Sequence, residues 1–287
     1  VTREEQRVAA RQFAALMQRV RAASARASRG AIRKVDAALA EASVRFAKAA
    51  AGTQVMTKAD AARLLTALER ALADVETAWI AATKDAQAEI LSAIVREHKA
   101  VNFSVAKVAR VDAGGIALRL STVPVETKAL MKQLRKGSTI DAMIKDNMST
   151  AEQAMADYIR SAVGEMPSAG AVRGIRRLLA GQLPVDLGGM TKADVKAGAS
   201  IPWRAERVII TESFEGYRQG NALALTKAVV QMVAKWQTAG DNVVCPVCLG
   251  IARHDSGHGP GWYRPDQWPR NPHPHCRCGQ GEIRILT

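Results

Sequence analysis

Cysteine is absent before position 245 of this 287-residue chain, and all four cysteines, Cys245, Cys248, Cys276 and Cys278, crowd into its C-terminal part. Thiols therefore do not serve as scattered core filler. Aromatic residues make up only 4% of the chain; Trp203, Trp236, Trp262 and Trp268 lie in the last third, and only Trp79 precedes them. The two ends are thus built differently. Acidic residues are outnumbered, 27 against 41 Lys and Arg, which leaves a formal charge of +14. Such an excess favours polyanionic partners such as nucleic acid, although a solvated basic surface has the same composition. No run of about 18 apolar residues occurs, which excludes a helical membrane span and a membrane partner. The first residues, Val1-Thr-Arg-Glu-Glu-Gln, are charged where a signal peptide requires an apolar stretch, so secretion is not expected.

With 48% hydrophobic and 24% charged residues, the balance is that of a globular protein with a real core. The sequence predicts a mainly α fold. A long-helix, coiled-coil-like arm occupies 1–100, a connector or hairpin 101–124, and a helical core 125–287, which closes in a small α+β zinc-knuckle region at 241–280.

In the arm, Thr2 and Glu5 have capping-box spacing. Ala9, Phe13, Leu16, Val20 and Ala23 then repeat in steps of four and three, as do Ile32, Val35, Leu39, Ala42 and Phe46 beyond Gly30. Gly52 breaks the pattern, and Thr57 with Asp60 offers a second helix start. Leu65, Leu68, Leu72, Val75, Trp79, Ala82 and Ala86 keep a heptad step, which buries one seam against another helix. Long antiparallel helices are the simplest outcome. Small residues dominate these stripes, so each contact buries little area and stability calls for a partner or neighbouring subunits. Arg7, Arg11, Arg19, Arg26 and Arg33 punctuate the first segment with little acidic opposition. They form a candidate phosphate-contacting surface; without interleaved aromatics, binding would be directed at the nucleic-acid backbone and sensitive to salt. A solvated helix face is the plainer reading. His98, isolated at the end of the heptad pattern, is expected in solvent.

Val105, Val108 and Val111 precede Asp112-Ala-Gly-Gly115, after which Ile116, Leu118 and Leu120 alternate with small or polar residues, the pattern of a short hairpin or extended connector. Helices are predicted over Glu126 to Lys136, Ser138 to Asn147 and Ser149 to Val163, each opened by a capping hydroxyl. Pro184, Gly188, Gly189, Gly198 and Pro202 mark a loop-rich passage. A long helix is expected from Trp203 to Trp236, with Ile210, Phe214, Tyr217, Leu225, Met232 and Trp236 on its core stripe. Glu206, Glu212 and Glu215 lack a matched acidic partner, so the pattern predicts no acid-base catalyst there.

Two knuckles follow. Cys245-Pro-Val-Cys248 and His273-Pro-His275-Cys276-Arg-Cys278 are separated by about 25 residues, the paired-ligand layout of a structural zinc site. A disulfide or unligated thiols are the alternatives, and CxxC in a reducing compartment favours metal. A turn and a short strand should enter the first knuckle at Asp241–Cys245. Between the knuckles, Gly257 to Pro274 is dense in Gly, Pro and Trp and should be an ordered loop pinned by metal and tryptophan packing. His254 and His258 read as surface loop histidines.

The order Arg204-Ala-Glu206-Arg207-Val-Ile-Ile-Thr211-Glu212, Lys235-Trp236, Asp241, the CxxC and the downstream HPxCRC-type knuckle resembles the phage Mu F-like minor head protein family over about residues 200–280. Ile210 stands where that family commonly has Arg, and His275 where it commonly has a small polar residue. The resemblance implies a non-enzymatic virion component of the capsid interior near the portal, present in host cytoplasm during assembly, that aids head morphogenesis and the packaging or ejection of DNA. It also implies as partners the portal protein, a major capsid or scaffolding protein and packaged double-stranded DNA. The matching ligands are Cys245 and Cys248 with Cys276 and Cys278, and His273 as substitute.

The rival reading is a zinc-stapled His-Asn-His-type DNA nuclease using His254, Asp255, His258 and Asn271. The proline-rich segment after Gly257 does not suit the helix such a site needs. A third reading, a zinc-ribbon DNA-binding regulator, leaves the long helices unexplained.

Overall fold

The computed structural model describes residues 2–49, 55–109, 114–181, 201–239, 244–270, 273 and 276–286. These form eight α-helices and a small C-terminal antiparallel sheet. The chain divides into two compact units. One comprises 1–29, 85–138 and 208–287, the other 30–84 and 139–207.

Helix α1 runs from Arg3 to Lys48 and α2 from Lys58 to Ala109. Both begin as their capping spacings require. The Thr2 amide donates to Glu5 and the Glu5 amide returns to Thr2 Oγ1; Thr57 and Asp60 exchange the same pair of bonds. Each box satisfies amides that the first helical turn would otherwise leave unpaired. Gly30 does not interrupt α1, since one glycine in a helix costs only about 1 kcal/mol. In the first unit Gln12 bonds Ser104 and Arg19 bonds Glu97, so α1 and α2 run antiparallel there. In the second unit Arg45 of α1 pairs with Asp74 of α2. Phe13, Leu16, Val20, Leu68, Val75 and Trp79 are buried as predicted, whereas Ile32 and Leu65 are only half-buried and Ala31 and Leu64 take the seam.

Where a connector or hairpin is expected at 101–124, the described residues are mainly helical, and Arg110 to Ala113 lie outside them. Helix α2 continues to Ala109, and α3 occupies Gly114–Ser121 with Ile116 and Leu120 buried. Ile116 and Leu120 are four apart, a helical repeat that the alternation with Leu118, 72% exposed, disguised as a strand. Helix α4 spans Val123–Leu134. The two helices expected over 138–163 are one, α5 (Ile140–Ser161), capped by Thr139, whose side chain accepts from the Ala142 amide at 3.0 Å. Ser149 is no cap: its hydroxyl donates back to the Asp146 carbonyl and the helix passes through it. Helix α6 (Ser168–Leu179) packs Ile175, Leu178 and Leu179 inward. The loop signals Pro184, Gly188, Gly189 and Gly198 lie outside the described residues.

Helix α7 (Ile201–Thr226) is shorter than the predicted helix. Beyond it, Met232 and Trp236 belong to strand β1 (Met232–Gln237) rather than to a helical stripe. Val229 and Val230, β-branched, separate the two elements where the chain leaves the helix. Helix α8 (Pro246–Arg253) follows, then β2 (Trp262–Tyr263), a 3-10 turn at Pro265–Gln267, and β3 (Gly279–Ile285). The sheet order is β2-β1-β3, all antiparallel, with a register shift in β1 between Ala234 and Trp236. The strand expected to enter the first knuckle is not seen at Val244, which is irregular, and Asp241 to Val243 lie outside the described residues.

From Ser213 to Ala222 every residue of α7 is buried, including Glu215, Arg218, Gln219 and Asn221. A helix buried on all sides is the centre of its unit rather than a flank. Gly220 permits its close approach to α2, since a Cβ there would meet Ile94 at 2.6 Å.

Candidate metal centre

The first knuckle is the start of α8. Cys245 occupies its N-cap with extended backbone (ψ 157°), Pro246 opens the first turn, and the Cys248 amide donates to Cys245 Sγ at 3.4 Å. Proline suits this place because the missing N–H is one the helix start leaves unused. Two residues between the cysteines bring Cys248 round one turn, so both sulfurs share one end of the helix.

The second knuckle leads into β3. Cys248 Sγ lies 3.1 Å from His273 Nε2 and 3.5 Å from Cys276 Sγ. Two overlapping triads result, Cys245–Cys248–His273 and Cys248–Cys276–Cys278, the ligand atoms of each lying within 4.8 Å of one another. Cys248 belongs to both. Cys248, Cys276 and Cys278 are buried, with exposures of 0, 1 and 4%, while Cys245 and His273 are half-buried. All four cysteines are free thiols, so the disulfide alternative has no support here. The five predicted ligands are thus brought together, and they can hold a metal ion. Zn–S bonds of about 2.3 Å in a tetrahedron place sulfurs about 3.8 Å apart, close to the spacing in this cluster. His275 lies outside the described residues.

Packing thiols together perturbs them. Burial and the neighbouring Cys276 push the Cys248 thiol up to about 12, and the thiol of Cys276 together with burial pushes Cys278 up as well. The Cys278 hydrogen bond, assisted by the Arg218 charge, brings Cys276 down to about 5. One thiolate is therefore stabilised at the expense of the others, and several can coexist only beside a cation.

Arg218 anchors the second knuckle. Its side chain is fully buried on α7; Nη1 donates to the carbonyls of Cys276 at 3.0 Å and Cys278 at 3.2 Å, and Nε donates to Glu215 Oε2 at 2.9 Å. Gln219 donates to the other oxygen of Glu215 at 2.7 Å. Tyr217 Oη donates to the Gln280 carbonyl and Gln280 Nε2 to the Arg218 carbonyl, which ties β3 to the same helix. Gly279 lets this happen, because a Cβ there would meet the Tyr217 ring at 2.4 Å. Arg218 is not apparent from the sequence, because its i, i+3 spacing from Glu215 reads as an ordinary surface pair.

Between the knuckles, aromatic packing orders the loop. Trp268 contacts Trp236 at 5.4 Å and Tyr263 at 5.8 Å between ring centroids, and Tyr263 Oη donates to the Ile251 carbonyl. Asp255 Oδ1 accepts from the amides of Gly257, His258 and Gly259, and these bonds, Gly259 first, hold its carboxyl below the usual range. His254 is exposed and stacks on Tyr263, His258 is half-buried, and neither joins the thiol cluster. Asn271 lies outside the described residues.

Elsewhere in this unit, Glu212 is buried and accepts from Arg135 Nη1 at 2.6 Å and Gln87 Nε2 at 2.7 Å. His98 corrects the expectation of a solvated residue. It is fully buried, its Nε2 donates to Asn221 Oδ1 at 2.9 Å, and burial lowers its pKa to about 4. Its sequence neighbours are charged, which hid the inward face: Ile94, Val101 and Val105 lie on the same stripe and are buried.

Arg7, Arg11, Arg19, Arg26 and Arg33 are all exposed on α1. Arg19 is engaged by Glu97 at 2.7 Å and Arg7 approaches Glu4 at 3.9 Å. Arg11, Arg26 and Arg33 have no ion-pair partner among the described residues.

Among the described residues no helix is long and apolar enough to cross a membrane. No family model matches the chain, and neither a curated protein nor a solved structure does.

Proposed function

We propose that this chain is a minor structural protein of a tailed-phage head, seated at the portal vertex inside the capsid, with a C-terminal module stapled by zinc. The observation that carries the structural half of this reading is the closed nature of the thiol cluster. Cys248, Cys276 and Cys278 are at most 4% exposed, and an ion held by four protein donors in such a place keeps no open position for substrate. Thiolate and imidazole donors in a tetrahedral arrangement favour zinc among common divalent ions. Arg218 supports the ligand-bearing backbone as outer partners do in structural sites.

The virion half is supported by the order of motifs from Arg204 to Cys278 and by the exposed cations of α1. Arg7, Arg11 and Arg26 suit contacts with the phosphates of packaged double-stranded DNA, a mode that needs no base reading. Portal, capsid or scaffolding contacts belong to the same proposal. The nuclease reading has less in its favour, because three backbone amides already hold Oδ1 of the Asp255 carboxylate that it would use.

The test is quantitative mass spectrometry of purified, nuclease-treated, DNA-filled particles against the soluble fraction of the producing cells. A low, fixed ratio to the major capsid protein is expected. Absence from particles, together with magnesium-dependent DNA cleavage lost on His254→Ala, would replace this reading with the nuclease.

A further inference from the structure

Two adjoining cavities, about 340 and 370 Å³, lie along α1 within the first unit, and they share Gln18 and Gln237. Together they make a groove whose α1 wall runs from Ala14 to Ala25. Eleven helical steps span about 16 Å, the length of about five residues of extended chain. The opposite wall is the end of β1 and the Arg277 to Glu282 segment beside the second knuckle.

The two halves differ in charge. Arg21 and Arg277 line the first cavity, and no acidic residue stands among its described walls. Arg21 Nη2 donates to the Arg277 carbonyl at 3.2 Å, and the rest of its fork is suited to a carboxylate. In the second cavity Lys235 is already matched by Glu282 at 3.3 Å, so that half favours a neutral occupant. Gln18 and Gln237, where the halves meet, offer both donors and acceptors, as a peptide backbone requires.

We propose that this groove binds an extended acidic peptide segment of a partner protein, with a carboxylate at the Arg21 end and small neutral residues at the Lys235 end. Protein is favoured over nucleic acid by the walls. Phe214 and Trp236 are buried, at 4% and 3% exposure, so they offer no open ring for stacking a base, and a duplex is too wide for a cleft of this volume. The small residues Ala14, Ala22, Ala25 and Gly281 leave room for a backbone to lie close. This inference stands apart from the virion assignment, since it needs only a protein partner.

A phage-displayed library of random heptapeptides, panned against the zinc-supplemented full chain and counter-selected on Ala22→Trp, tests it. Ala22 is exposed on α1, so the tryptophan fills the groove without entering the core. Enriched peptides should carry Asp or Glu and bind at least 10-fold more weakly to Ala22→Trp and Arg21→Ala, while Lys145→Ala, exposed on α5 and absent from the lining of either cavity, changes binding less than twofold. Unchanged circular dichroism and zinc content identify the variants as folded. Failure to enrich peptides over the plugged variant, or enrichment of sequences without acidic residues, would overturn the proposal. So would a labelled thymidine pentanucleotide binding in the groove, with its affinity lost on Ala22→Trp.

Discussion

Arg218 of α7 and Cys276 of the second knuckle are joined by a 3.0 Å hydrogen bond from guanidinium to backbone carbonyl, inside the core. The same nitrogen reaches the Cys278 carbonyl, so one buried cation fixes the backbone that presents two thiols. A residue 58 positions upstream of Cys276 thereby sets the geometry of the candidate metal centre.

Replacing Arg218 by Met should remove the guanidinium that pairs with the buried Glu215. Breaking such a pair costs about 3–5 kcal/mol, and loss of an outer partner lowers metal affinity about 10- to 100-fold. Urea unfolding and competition with a chromophoric chelator measure the two effects separately. Wild-type metal affinity in a folded Arg218→Met chain would refute the anchoring role.

Five donors surround a site that a tetrahedral ion fills with four. Cys248→Ala, which removes the sulfur common to both triads, should abolish stoichiometric zinc. His273→Ala and Cys278→Ala should each retain zinc with weakened affinity, because the other donor completes the set. Metal analysis of the purified variants checks this; full zinc retention by Cys248→Ala is the adverse outcome.

Removing zinc should unfold the C-terminal module and leave α1 and α2 helical, since in small sites binding energy is folding energy. Trp236, Trp262 and Trp268 report on the module by fluorescence, and far-ultraviolet circular dichroism reports on the helices. Unchanged tryptophan emission after verified metal loss would count against it.

His98 gives a pH signature. Its folded pKa of about 4 is depressed from 6.5 by burial, so the unfolded chain binds the proton first. Its contribution is complete above pH 6.5 and is lost as pH falls toward 4, amounting to about 3 kcal/mol. Urea midpoints at pH 7.5, 5.5 and 4.5 should fall more steeply for the wild type than for His98→Leu. Parallel slopes would show that His98 is not the group responsible.

Reversing the cations of α1 addresses nucleic acid. Arg7, Arg11 and Arg26 changed together to Glu should weaken duplex DNA binding and reduce the slope of log affinity against log salt by about 2–3. Melting temperature serves as the folding control; an unchanged slope would assign these residues to solvent.

Local signals were legible in the sequence where one residue type has one physical use. The Thr2–Glu5 and Thr57–Asp60 caps, the α1 stripe from Ala9 to Ala23 and the convergence of the CxxC with His273, Cys276 and Cys278 all follow from spacing alone. The hairpin reading failed at 114–121 because eight residues of small and apolar side chains fit periods of two and four alike. Trp236 was misplaced because it continues the i, i+4 pattern from Met232 although the backbone has already turned to strand. Arg218 and His98 were invisible for a different reason: a charged or polar residue becomes a core residue only through partners distant in the chain, and periodicity carries no record of them.

The buried charges of α7 also act as a check on assembly. Glu212 finds its partners on α2 and at the C-cap of α4, and Arg218 finds carbonyls at the entrance to β3. Apolar side chains would tolerate a helix slipped by a turn, but a slip here strands two charges in a dry interior at once. Residues 87, 135, 212, 218 and 276 must therefore come together in one register, and a chain that mispacks any of these segments pays in desolvation before it gains a core.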